Sequence, residues 1–174
     1  MKRLFLVLTA LIIAFPAFAD SVQTYYVADK QIKISIPKGW KDKTKKELDE
    51  NVMTVFFAPA QGESIRMWIT AIAAKTDEPD AVKDILEKTL QGIRPQAVEK
   101  EFPFVPLDGK SVHGLYFSAT DRAPAKGEYK FLTEGALAVD GSNIRVVFTI
   151  LSNDGQQTAA RQGLDMIKTI ALAQ

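Results

Sequence analysis

The clearest pattern in the chain lies near its C-terminal end. In residues 143–151, Ile144, Val146, Phe148 and Ile150 share one side of an alternation, and Arg145, Val147, Thr149 and Leu151 share the other. A period of two predicts a β-strand. Half of the second set is also apolar, as in a central strand covered on both faces, and Phe148 is expected in the core. Residues 23–28 and 31–36 predict a hairpin turning at Asp29-Lys30, with Ile32, Ile34 and Ile36 on its dry face. Residues 52–58 and 65–74 predict two more strands, separated by a turn at 59–62 that contains Pro59 and Gly62. In the second of these, Ile65, Met67, Ile69 and Ala71 oppose Arg66, Trp68 and Thr70. Residues 97–105, 111–120 and 129–139 complete the predicted strands, with Asp108-Gly109 and Asp140-Gly141 as hairpin signals.

Two segments change period from two to three and four. Val82, Ile85, Leu86, Leu90 and Ile93 form a helical stripe that opens on the acids and proline of Asp77-Glu78-Pro79-Asp80 and stops at Arg94-Pro95. Ala160, Leu164, Ile167 and Ala171 form a second stripe, with Gly163 and Ile170 at its edges. Asn153 and Gln156 are spaced as a capping box before it, and the small Gly163 is expected to let the helix approach a sheet. Strands in runs with two separated helices give an α+β domain with a mostly antiparallel β-sheet and helices packed on its faces.

The segment Ile-Ser-Ile-Pro-Lys-Gly-Trp, 34–40, ends a strand abruptly. Pro37 cannot donate to a ladder, Gly39 permits a sharp turn, and Trp40 anchors the corner through its large apolar ring. After it, the charge run at 41–50 reads as a solvated loop or helix face, with Thr44 and Glu47 spaced for one capped helical turn.

The N-terminus stands apart. Lys2 and Arg3 precede an apolar run from Leu4 to Phe15, Pro16 breaks it, and Ala17-Phe18-Ala19 supplies small residues two apart. This is the order of a secretory signal peptide, 1–19, cleaved before Asp20. Twelve apolar residues rise only about 18 Å as a helix, against a hydrocarbon core of roughly 30 Å. The remainder, 20–174, is expected to be one domain that is periplasmic or secreted. Without Lys2 and Arg3, twenty basic residues face twenty-one acidic ones, so no basic field exists and nucleic-acid binding is disfavoured. The chain has no cysteine. It therefore relies on packing rather than disulfides, and offers no lipid-bearing cysteine at the cleavage site, so no stable membrane anchor is expected.

The order of these elements, the "ISIPKGW" corner, the phrase "RVVFTILS" and the helix "ARQGLDMIKTI" resemble the PsbP-like superfamily. That resemblance covers roughly residues 25–170 and implies an α/β/α sandwich around an antiparallel sheet. The superfamily includes the PsbP subunit of photosystem II, a Ran-binding nuclear import factor and bacterial DcrB-type exported proteins. Within the superfamily the chain most resembles the DcrB-type branch, although the lipoprotein members of that branch carry the cysteine that this chain lacks.

Candidate chemistry is sparse. His113 is the single histidine, and Ser111 lies two residues before it. Triads draw on separate elements and a nucleophile elbow is absent, so a Ser111–His113 hydrolase is disfavoured. The acids of 77–80 have a structural reason at a helix start, and no metal, cofactor or phosphate motif is present. Recognition remains. Trp40 is a stacking platform if its ring is exposed and a packed corner otherwise. Arg66 and Trp68 form a binding patch if their strand face is open and core if it is covered. The expectation is a non-enzymatic exported accessory protein with a protein partner in the cell envelope. The alternative is a small-molecule or lipid-binding module with a pocket between sheet and helix.

Overall fold

The computed structural model describes residues 19–49, 51–61, 65–74 and 81–173, with the backbone alone at 19–20 and 43–49. The predicted signal peptide, the acids at 77–80 and Gly62 lie outside the described residues.

The doubly apolar strand is β9 (Ile144–Ser152), and it occupies the middle of a seven-stranded sheet. On one side it pairs with β5 (Arg66–Ala73), then β4 (Val52–Pro59) and β3 (Trp40–Asp49). On the other side it pairs with β8 (Phe131–Val139), then β7 (Val112–Thr120) and β6 (Val105–Asp108). Every pair is antiparallel. The predicted hairpin separates into a second, smaller sheet, in which β1 (Ala19–Val27), β2 (Lys30–Pro37) and β10 (Ala171–Leu172) are ordered β1-β2-β10. Its turn falls one residue earlier than expected, at Ala28-Asp29, with Ala28 at φ 53°.

The Pro-Lys-Gly-Trp corner carries the chain from the small sheet to the large one. Pro37 is the last residue of β2, Gly39 adopts φ 79°, and Trp40 opens β3. Trp40 is buried, and its indole N–H donates to Gln162 Oε1 at 3.2 Å. Burial of such a ring contributes about 2–3 kcal/mol.

The two faces of the large sheet are covered differently. On one, Met53, Phe57, Ile69, Val146 and Phe148 pack with Ile32 and Ile34 of the small sheet and with Met166 and Ile167 of α2 (Gln157–Ile167). On the other, Val82, Leu86 and Leu90 of α1 (Ala81–Ile93) pack on Phe117, Ala119 and Ala136 of β7 and β8. The result is an α+β domain in three layers, with the small sheet and α2 sharing one of them. Gly163 allows close approach: a Cβ there would stand 3.0 Å from Ile150 Cδ1 and 3.3 Å from Met67 Sδ.

Three expectations are corrected. The charge run after Trp40 is neither loop nor helical turn: 41–49 continues β3, the outer strand of the large sheet, with register shifts at Asp42/Thr44 and Glu47/Asp49. Pairing with β4 overrides a composition that shows no apolar alternation, and lysine-rich edges are a common guard against further pairing. Residues 97–105 do not form a strand. Ala97 makes one bridge to Asp121, and β6 begins only at Val105, because Pro103 interrupts any ladder. Phe102 and Phe104 pack on Phe117 instead, with ring centroids 6.1 Å away in each case. The capping box at α2 is half made. The Gln156 side chain accepts from Asn153 N–H at 2.7 Å, but the Asn153 side chain accepts from Lys130 N–H at 2.9 Å and leaves the helix end uncapped.

Candidate functional site

The α1-bearing face of the large sheet has two halves. α1 packs on β7 and β8, while on the β4–β5–β9 half the side chains Thr54, Phe56, Trp68, Thr70, Thr149 and Leu151 are half-buried. Register sets them in rows. Phe56 pairs with Trp68, Trp68 with Thr149, Thr149 with Glu134, and Glu134 with Phe117. The Phe56 and Trp68 rings meet edge to face, with centroids 4.9 Å apart. The Thr54 and Thr70 hydroxyls are 2.9 Å apart in the next row. In the row on the other side, Arg66 is exposed and lays its guanidinium 5.8 Å from the centre of the Tyr129 ring.

Arg66 and Trp68 thus share one face with Phe56 and close to Tyr129, as the alternation of β5 requires. Trp40 is separated from them: its ring lies in the core on the opposite face of the sheet. A cleft of about 250 Å³ continues the Arg66 row. Leu151, Leu132 and Ala119 line it from the sheet, Ile93 and Ala97 from the end of α1 and just beyond, and Tyr129 from the loop before β8.

Glu134 is the feature of this face that the sequence reading missed. It is only 8% exposed, yet it carries a carboxyl group. Thr149 Oγ1 donates to its Oε2 at 2.6 Å. Burial pushes its pKa up to about 7, and the Thr149 hydrogen bond offsets this only in part. The signal was present in "FLTEGALAV", where one acid interrupts the apolar alternation Leu132, Ala136, Ala138.

His113 lies elsewhere, exposed between two hairpins. Its Nδ1 is 3.2 Å from Asp108 Oδ1 and its Nε2 is 3.1 Å from Asp140 Oδ2. Ser111 precedes β7, and its carbonyl accepts from Asp140 N–H at 3.0 Å. Both imidazole nitrogens therefore face carboxylates, which leaves neither directed at a serine hydroxyl. The Asp108 hydrogen bond, with the Asp140 charge, raises the His113 pKa above its usual 6.5. A raised histidine pKa favours the folded state at low pH, and that contribution fades as pH rises through the folded value. With one histidine in the chain, an NMR titration of its ring protons is unambiguous. The midpoint is expected above 6.5 and is expected to fall in Asp108→Asn; an unchanged midpoint in that variant would show that the contact does not persist in solution. Among the described residues, no group of three or more histidine, aspartate or glutamate side chains is arranged to hold a metal ion.

No protein-family model and no curated protein matches this sequence. Solved structures do. The solution structure of cyanobacterial PsbP (CyanoP) from Synechocystis sp. PCC 6803 matches with a TM-score of 0.53 at 12% identity, over 94% of this chain and 99% of that one. The fold is PsbP-like. A crystal structure from Bacteroides thetaiotaomicron VPI-5482 matches with a TM-score of 0.52 at 14% identity. That match covers 82% of this chain but 45% of the Bacteroides chain, so this chain spans less than half the length of that protein. At such identities the PsbP-like likeness is one of fold.

Proposed function

We propose that this chain is a non-enzymatic accessory protein, exported behind a signal peptide at 1–19, that works by contacting another protein in the cell envelope. Within the PsbP-like fold its place is beside the DcrB-type exported proteins, on the strength of the "ISIPKGW" corner and the final helix. The observation that carries the reading is the gathering of Arg66, Trp68, Phe56 and Tyr129 on and beside one half-buried sheet face. Tryptophan, tyrosine and arginine dominate binding hot spots because they bring large contact area together with directional polar groups. The test is affinity capture from periplasmic extract. The wild-type protein is expected to retain a specific partner, and Trp68→Ala with Arg66→Ala to weaken retention at least about tenfold, as loss of a hot spot does. Absence of any specific partner, or equal retention by the double variant, would count against this face.

A second reading, a small-molecule or lipid-binding module, is favoured by the cleft between the sheet and the end of α1. Its volume of about 250 Å³ is slightly below the roughly 300–1,000 Å³ usual for ligand pockets, which places this reading second. A fluorescent fatty acid that binds the wild type and not Leu151→Trp, a substitution that fills the cleft, would promote it.

A further inference from the structure

The proposed contact face contains a buried carboxyl group with no cationic counterpart among the described residues. Glu134 is nine-tenths buried, and its one hydrogen bond among the described residues is from Thr149 to Oε2. No lysine, arginine or histidine forms an ion pair with it among the described residues. The nearest buried cation on this face is Arg145, two rows along β9 opposite Ala138, and its guanidinium donates to the Ile144 carbonyl at 3.4 Å rather than to Glu134. β9 contributes Thr149, β7 contributes Phe117, and α1 turns Val82, Leu86 and Leu90 inward while Lys83, Asp84, Glu87 and Lys88 are exposed. Arg66, one row away, is engaged over Tyr129. A buried ionised carboxylate without a partner is costly, and such groups are ordinarily paired.

The surroundings define what would pair with it. Glu134 and Trp68 lie two strands apart in one row, so about 10 Å separates their backbones. The residue between them is Thr149, a short side chain whose hydroxyl already points at the carboxylate. A row that sets an indole, a hydroxyl and a carboxyl side by side suits an alkylammonium or guanidinium group. The stem packs on Trp68 and the head approaches both the ring and the carboxylate, combining a cation–π contact with a charge-assisted hydrogen bond. We infer that this Trp68–Thr149–Glu134 row receives a lysine or arginine side chain presented by the protein partner. This rests on the protein-contact reading above and adds the chemistry of the partner's anchoring residue. Since the guest binds the ionised carboxylate, association expels the Glu134 proton, and affinity rises as pH rises through 7. Anionic ligands are repelled by the same group.

The test uses capped single residues on the exported chain: N-acetyl-arginine amide and N-acetyl-lysine amide, with N-acetyl-glutamine amide as the neutral control. In ¹⁵N–¹H correlation spectra, both cationic probes are expected to shift the Trp68 indole N–H and the Thr149 amide saturably, and the glutamine probe to leave them in place. Binding is expected to strengthen about tenfold between pH 6 and pH 8, following the ionised fraction of a group titrating near 7. It is expected to fall at least about tenfold in Glu134→Gln, whose shape is nearly unchanged, and in Trp68→Ala as an independent variant. Equal binding to Glu134→Gln, a flat pH profile, or no shifts at Trp68 and Thr149 would overturn the inference. If Trp68-dependent capture of a partner from extract survives Glu134→Gln, the cation site is wrong and the contact face stands. If the probes bind through Glu134 but no partner is captured, the protein-contact reading is the part that falls.

Discussion

Phe148→Ala is expected to lower the unfolding free energy by about 3–5 kcal/mol, as truncation of a buried aromatic does. The ring is 1% exposed in the middle of β9, the central strand of the large sheet. It lies over Gly135 of β8, its cross-strand partner. A Cβ at 135 would fall 2.2 Å from the ring's Cε1 and Cζ atoms and 3.0 Å from Tyr116 Cβ. The glycine is therefore the space that the ring fills. Gly135→Ala on its own is expected to cost about 1–3 kcal/mol through overpacking. In the Phe148→Ala background the same change should cost much less, because the obstruction is gone and part of the cavity is refilled. Urea melts of the four proteins check both statements. A Phe148→Ala variant melting like the wild type would mean that the faces of β9 are reversed, and strict additivity would mean that the ring does not rest on Gly135.

The second large effect is a pH dependence of stability that traces to Glu134. Its pKa is about 7 in the fold, against an ordinary 4.5. Between those values the folded state holds a proton that the unfolded state releases, so stability falls as pH rises from about 4.5 to about 7. The full loss is on the order of 3 kcal/mol. Glu134→Gln carries no titrating group and keeps the hydrogen bond to Thr149 by rotating its amide oxygen into place. Its stability curve is expected to be flatter than the wild type's, with the variant the more stable at pH 8. Parallel curves would show that the carboxyl is solvated in the native state. His113 titrates in the same direction as pH rises, but it is present in both proteins and cancels in the comparison.

Much of the layering was legible because burial writes itself into alternation. β9 reads as central from Val147 and Leu151 on its second face, and β5 reads as two-faced from Met67 against Trp68. The corner at Pro37–Trp40 was readable as a stop and an anchor, since Pro and Gly act through local backbone geometry. Its role in passing the chain between two sheets was not, because partner choice among strands is a long-range property. For the same reason the charge run of β3 looked like a loop: an edge strand needs no apolar alternation to be held by its neighbour. Asn153 was misassigned as a cap because Lys130 N–H, distant in sequence, competes for its side chain. At the candidate site, the shared face of Arg66 and Trp68 follows from the period of β5, whereas residue type alone gives no hint that Trp40 lies on the opposite face. The row from Phe56 to Glu134 depends on the register of four strands, which no single segment encodes.

On the proposed function, the Arg66–Trp68 face is the surface through which this domain contacts its partner. Site-specific photo-cross-linking in intact cells decides this, with a photoreactive residue placed in turn at Phe56, at Trp68 and, on the small sheet, at Lys33. One discrete adduct to a second protein is expected from positions 56 and 68 and none from position 33. Adducts from position 33 alone, or none from any of the three, would contradict it.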